Sequence, residues 1–202
     1  MVQFRSYAAS EAAAFHRVRD RFGAFSNMAA GYPVRFGGVE APSSEALYQA
    51  LRFPDLPGFQ GEILSATSPI LAKRHAYTRI RESRSDWEAV KVNVMRFVLR
   101  AKFGAHQSRL LPVLAETGER PIVEISHRDD FWGARPEGGR LHGRNVLGRL
   151  LMELRLELAA HPIGAPLLVA PRFARASLLG SELGPERVGD IAAEPDTGPF
   201  LL

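Results

Sequence analysis

Any fold of this chain has to be arranged around one segment, WEAVKVNVMRFVLRAKFG, Trp87 to Gly104. Its apolar residues recur at helical spacing over about five turns, with Ser85 and Glu88 reading as a capping box and Gly104 as the stop. Wound at about 100° per residue, the helix sets Asn93, Arg96 and Arg100 on one side. Lys102 falls opposite them, beside Met95, Val98 and Trp87, and Lys91 shares that inner face. An ammonium there must find a partner, lose its proton or line a cleft, unless it snorkels to solvent while its stem packs.

The segments before this helix read as mixed. Residues 1–24 hold a short strand or helix, and YPVRFGGVEA predicts a two-strand hairpin turning at Gly37-Gly38. Pro42-Ser43-Ser44 opens a helix, SEALYQALRF, that should stop before Pro54. GEILSA predicts a second helix, and Ser68-Pro69 caps a third. After the long helix come one from Ser108 to Thr117 and the strand PIVEIS, Pro121 to Ser126. HRDDFWGARPEGGRLHGR follows as a long glycine- and charge-rich loop of the kind that often binds ligands. NVLGRLLMELRLELAAH, with leucines at helical spacing, is mostly core. From Pro162 onward no periodic pattern survives, so residues 161–202 are expected to be a Pro/Gly/Ala-rich extension, disordered or lying across a neighbour. The sum is an α+β fold: a predominantly helical single domain over residues 1–160 with a small antiparallel sheet.

Composition narrows the function classes. The chain has 202 residues and no cysteine, so disulfides, thiolate metal sites and a cysteine nucleophile are excluded, which agrees with a reducing compartment. The amino terminus lacks the apolar core of a signal peptide and no apolar run reaches membrane length, so a soluble, cytoplasmic protein without a membrane partner is expected. A net charge of +4 favours anionic partners such as phosphates or nucleic acid. Only three of the 26 basic residues are lysine, however, and that arginine excess is equally explained by genome composition.

Three groups of residues can carry chemistry. Glu45, Tyr48, Gln49 and Arg52 share one helix face, either as a site or as a solvated surface. Asp129 and Asp130 stand beside Phe131, Trp132 and Gly133, where an acid next to an aromatic slab could hold a ribose or base; Trp132 could equally plug the core. The glycines at 133, 138, 139 and 143 precede a helix start near Asn145, whose amides, with Arg140 and Arg144, would attract phosphate. That pattern matches neither phosphate-loop fingerprint, and no histidine or cysteine cluster argues for a metal.

The order of the pieces is more specific than any one of them. FSN (Phe25 to Asn27), APSSEALYQALRF, SDWEAVK with MRFVLRAKF, the aspartate with FWG, and GRNVLGRLLMELR together resemble the NADAR family of YbiA-like N-glycosidases over roughly residues 20–158. The resemblance implies hydrolysis of a bond between ribose and nitrogen, without a cofactor or metal. The substrates it implies are phosphorylated pyrimidine intermediates of riboflavin synthesis or ADP-ribosylated guanine in nucleic acid. It also implies catalytic roles for Glu45, Lys102 and Asp129 rather than Asp130. Phe25, Ser26, Asn27, Tyr48, Gln49, Arg52, Trp87, Trp132, Gly133 and Asn145 would contact substrate. The chain departs from the pattern at Ala46, where the family commonly has histidine, at Arg52, where it has lysine, and at Met28, where it often has an aromatic. Arginine keeps the charge but cannot act as an amine nucleophile, so that role would rest on Lys102.

Cleaving ribose from nitrogen builds positive charge on the sugar and leaves an amine that needs a proton. Glu45 and Asp129 can divide those tasks, with Lys102 as an imine-forming nucleophile or as the cation orienting Glu45. The competing expectation is a non-catalytic ADP-ribose or nucleotide reader, against which the joint presence of the three groups argues. A basic nucleic-acid-binding module would lack any recognisable motif.

Overall fold

The computed structural model describes residues 3–191. Its elements run β1 (Arg5–Ala8), β2 (Ala13–Phe15), β3 (Val34–Phe36), β4 (Val39–Ala41), α1 (Ser44–Ala50), α2 (Pro57–Leu64), α3 (Pro69–Thr78), α4 (Trp87–Ala105) and α5 (Gln107–Glu116). Then come β5 (Ile122–Glu124), β6 (Arg135–Glu137), β7 (Arg140–Gly143), α6 (Val146–Leu158), β8 (Leu167–Val169), β9 (Ser177–Leu178), β10 (Ser181–Glu182) and β11 (Glu186–Val188). The class is α+β, as expected. Helices form the bulk, and the strands make small separate ribbons rather than one sheet. β1, β7 and β6 form an antiparallel trio, β3 and β4 a hairpin, and β2 and β5 a parallel pair.

The long helix α4 is the axis of the core. Val94, Phe97, Val98, Leu99, Ala101 and Phe103 are fully buried against α1, α5, α6, β3 and β8. Its start differs from expectation. The helix begins one residue after Asp86, whose carboxylate is taken by Arg84 at 2.6 and 2.9 Å, and no side chain caps it; Glu88 pairs with Lys91 instead. Gly104 does not stop the helix either. It lies inside the last turn, where a Cβ would stand 3.1 Å from Cβ of Val188, so its role is close approach rather than termination. Elsewhere the capping chemistry holds: Ser43 Oγ accepts from Ala46 N at 3.1 Å and Ser68 Oγ from Leu71 N at 3.3 Å.

Two further expectations change. The segment read as one long loop contains the hairpin β6–β7, closed at Gly138-Gly139, because Leu141 inserts into a small second core with Tyr7, Val123 and Ala134. The segment from Pro162 to Ile191 packs into the domain itself. Leu167, Val169, Ala176, Leu178, Leu183 and Val188 are buried in the main core, β8 pairs with β11, and Arg84 donates to the carbonyls of Ala174 and Arg175. The part of that expectation falling on residues 192–202 lies outside the described residues. No helix among them is long and apolar enough to cross a membrane.

Candidate active site

α1 is a short helix whose seven residues are all buried, including the polar face of Glu45, Tyr48 and Gln49. Burying a carboxylate costs several kcal/mol unless donors meet it. Here they do: Asn27 Nδ2 donates to one Glu45 oxygen at 2.6 Å and Gln49 Nε2 to the other at 2.8 Å. A carboxylate can accept about twice that number of hydrogen bonds, so Glu45 keeps capacity for a ligand. Asn27 is held in turn, because Ser44 Oγ donates to its carbonyl at 3.2 Å. Glu45 also sits in the first turn of α1, where the helix dipole favours an anion.

The loop that presents Asn27 is clamped from behind by Lys102. This lysine is fully buried, and its Nζ donates to the carbonyls of Ala24 at 2.6 Å and Ser26 at 2.9 Å, 4.9 Å from the Tyr32 ring centre. Burial, and next the positive charge of Arg109, bring its pKa down to about 7. The helical reading that turned Lys102 inward is therefore right, but its ammonium reaches backbone carbonyls rather than a cleft. Lys91, assigned to the same inner face, is only half-buried; it pairs with Glu88 and lies 4.2 Å from the Phe131 ring centre.

A second wall comes from the end of β5 and the turn after it. Glu124 projects into the cavity with its carboxyl deep enough that burial, then the charges of Asp129 and Glu45, raise its pKa to about 7. Asp129 Oδ1 accepts from the amides of Phe131 and Trp132 at 2.8 and 2.9 Å, which fixes the turn, and the residue lines the cavity. Asp130 is occupied by Arg135 at 3.2 Å. Asn145, in a left-handed conformation with φ of 47°, pins this wall through Nδ2 to Ile122 O at 2.8 Å and through Oδ1 accepting from Glu124 N at 3.2 Å. Gly133 lies so close to β5 that a Cβ would be 2.6 Å from Glu124 O. The expected phosphate site at the start of α6 is absent, because the amides of Arg144, Asn145, Val146 and Leu147 already donate to the carbonyls of residues 130–133.

Between the walls is a cavity of about 420 Å³, within the size range of small-molecule sites. Of the expected site residues, Ser26, Asn27, Glu45, Tyr48, Gln49, Arg52, Asp129 and Trp132 line it. Phe25, Trp87, Lys102, Gly133 and Asn145 stand behind it. Trp132 is half-buried on the wall, with Tyr48 edge-on to it at 5.9 Å. Burial pushes the Tyr48 phenol well up, so it is a donor at neutral pH. Sequence reasoning missed Glu124, Lys73, Tyr77 and Arg128 on the lining. A signal for Glu124 existed, since period-2 alternation places it on the face of buried Ile122.

Other cavities exist, one of about 490 Å³ lined mainly by apolar residues of α5 and α6. Unmet polar atoms single out the first. Among the described residues, six buried side-chain polar atoms lack a partner, and Asn27 Oδ1, Gln49 Oε1, Arg52 Nε and Arg52 Nη1 are four of them. Such atoms are costly unless something completes them.

The NADAR domain matches residues 14–159. N-glycosidase YbiA of Escherichia coli is 41% identical over 145 residues, covering 72% of this chain and 87% of that protein. A riboflavin biosynthesis protein of Vibrio vulnificus is 41% identical over 132 residues, 64% of this chain and 35% of that one. The NMR structure of E. coli YbiA superposes with a TM-score of 0.63 at 40% identity, covering 73% of this chain and 84% of that one. By this domain match, its identity to N-glycosidase YbiA and its shared fold, the chain belongs to the NADAR domain family and is an enzyme of the N-glycosidase class.

Proposed function

We propose that this protein hydrolyses the bond between ribose and an amine nitrogen of a pyrimidine intermediate of riboflavin synthesis, within the cavity between α1 and the end of β5. The observation that carries the reading is the pair of differently prepared acids: Glu45 gripped by two amide donors, and Glu124 with its pKa raised to about 7. A carboxyl with a raised pKa, close to a second one gripped by hydrogen-bond donors, can divide acid and base roles with it. Support for the substrate class comes from the relative named for riboflavin biosynthesis.

As the C1′–N bond breaks, Glu124 gives its proton to the departing nitrogen. Glu45 balances the positive charge on the sugar and takes a proton from the water that adds to C1′, so the products are the sugar with a free anomeric hydroxyl and an amine. Asp129 Oδ2 accepts from a sugar hydroxyl, and Trp132 offers a stacking face. Lys102 acts through the loop it clamps, keeping Asn27 against Glu45. The alternative role as an imine nucleophile is less well supported, because its Nζ is fully buried and already donates twice. Borohydride added during turnover is expected to trap no covalent adduct on Lys102.

The test is direct. Incubation with the ribosylated aminopyrimidine, followed by mass spectrometry, should detect the freed amine with the wild type and not with Glu45→Gln. Absence of the amine with folded wild-type protein would overturn the reading in favour of a nucleotide-binding module.

A further inference from the structure

Four carbonyls of the stretch from Ala24 to Pro33, which brings Asn27 to the cavity, are met by side chains able to carry positive charge. Lys102 Nζ donates to Ala24 O and Ser26 O at 2.6 and 2.9 Å, Arg109 Nη1 to Gly31 O at 2.9 Å, and His106 Nε2 to Pro33 O at 2.7 Å. All three crowd one ring: Lys102 and Arg109 stand 4.9 and 4.3 Å from the Tyr32 ring centre, and His106 lies edge-on to it at 5.2 Å. They come from the junction of α4 and α5, where like charges oppose one another. After burial, the charge of Arg109 weighs against the protonated forms of both Lys102 and His106. A cluster of this kind needs an acid nearby if it is to keep its grip on the loop.

That acid comes from beyond the matched domain, which ends at residue 159. Asp190 Oδ2 accepts from Ser108 N in the first turn of α5 at 3.1 Å, and the next residue, Ile191, donates its N–H to Ala105 O at 2.8 Å. α5 has no capping side chain of its own, so Asp190 caps it from a distant part of the chain. A cap needs one acceptor oxygen and no charge. Asp190 brings a full negative charge, its Oδ1 is buried without a hydrogen-bond partner among the described residues, and its field favours the protonated form of His106. We infer that Asp190 is a positioning residue for the hydrolysis: the segment beyond the family domain supplies the carboxylate that holds the Lys102, His106 and Arg109 cluster together beneath the Asn27 loop. The inference rests on the reading of the cavity as the glycosidase site. It gives the C-terminal segment a part in the reaction although that segment contributes no residue to the cavity lining.

D190N tests this, because asparagine keeps the shape and an acceptor for Ser108 N while removing the charge. Its kcat should fall about tenfold with KM within about twofold, the pattern of misalignment rather than of lost binding. D190E, which keeps the charge, should retain most of the rate. The readout that separates charge from capping is Lys102 itself. The chain has three lysines, Lys73, Lys91 and Lys102, so the Lys102 ε-carbon can be followed by NMR in protein grown on isotopically labelled lysine. Removing a nearby negative charge disfavours the ammonium, so the Lys102 midpoint, about 7 in the wild type, should move down by at least about half a pH unit in D190N. D190N/R109Q removes one charge of each sign and should bring folding, rate and Lys102 midpoint back toward the wild type. An unchanged Lys102 midpoint in D190N would overturn the inference whatever the rate, since Asp190 would then only cap α5. So would a wild-type kcat in D190N, or a double variant no better than D190N alone. If the wild type releases no amine while the Lys102 midpoint still moves, the hydrolysis falls and the coupling of Asp190 to the cluster stands.

Discussion

Glu45 and Glu153 are both helix-borne glutamates with hydrogen-bond donors close by, yet they live in different worlds. Glu153 on α6 faces water, its side chain 59% exposed, and meets Arg96 of α4 at 3.1 Å; its neighbour Glu157 meets Arg100 in the same way. Each of those pairs is complete, screened and worth under about 1 kcal/mol. Glu45 is 5% exposed and is held by neutral amides that have unpaired atoms of their own. A charge satisfied by an opposite charge is settled, whereas a carboxyl held by two amides keeps acceptor capacity for a ligand. On the proposed reading, the difference separates structural charge from chemical charge.

Four substitutions test that separation. Glu45→Gln should lower kcat by on the order of a thousandfold, with the thermal midpoint shifted by only a few degrees. A rate near that of the wild type would place Glu45 with Glu153 as ordinary structure. Glu124→Gln should cost about a hundredfold. Because a general acid works only while protonated, wild-type kcat should fall as pH rises through about 7, and that limb should vanish in the variant. A wild-type profile flat across this range would remove Glu124 from the proton-donor role. Lys102→Met should lower kcat by about tenfold, up to a hundredfold if Asn27 shifts by an ångström, with KM changed less. Loss of KM alone would mean that the loop serves binding rather than the alignment of Glu45. Glu153→Gln should leave kcat and KM within error and change unfolding free energy by less than about 1 kcal/mol, measured by urea titration.

Much of the site was legible because helical geometry is local. The steps of three and four that put Glu45, Tyr48, Gln49 and Arg52 on one face, and the turn that put Lys102 inside, needed only the residue count. What packs on that face is not local: Trp132, Tyr77 and Glu124, which line the same cavity, come from other parts of the chain, so the residue count alone does not separate a site from a solvated surface. The partners of Lys102 are two backbone carbonyls, groups that every residue carries and no sequence pattern advertises. The start of α6 misled for the same reason. Its amides are consumed by carbonyls from the turn that follows β5, and only the three-dimensional return of the chain reveals it. The β6–β7 hairpin, by contrast, was within reach, since Gly138-Gly139 between short extended stretches is ordinary turn chemistry. Past residue 160 apolar residues spaced without period still found the core, because short ribbons pinned at single positions need no periodicity.

The contact between Gly104 and Val188 has a consequence for the order in which the molecule is completed. The matched domain ends at residue 159, so the stretch that closes on the last turn of α4 is synthesised after the domain it seals. A nascent chain that has already completed the matched domain still carries an unsealed seam along its longest helix. Folding of that helix is therefore finished only once the stretch around Val188 has been made.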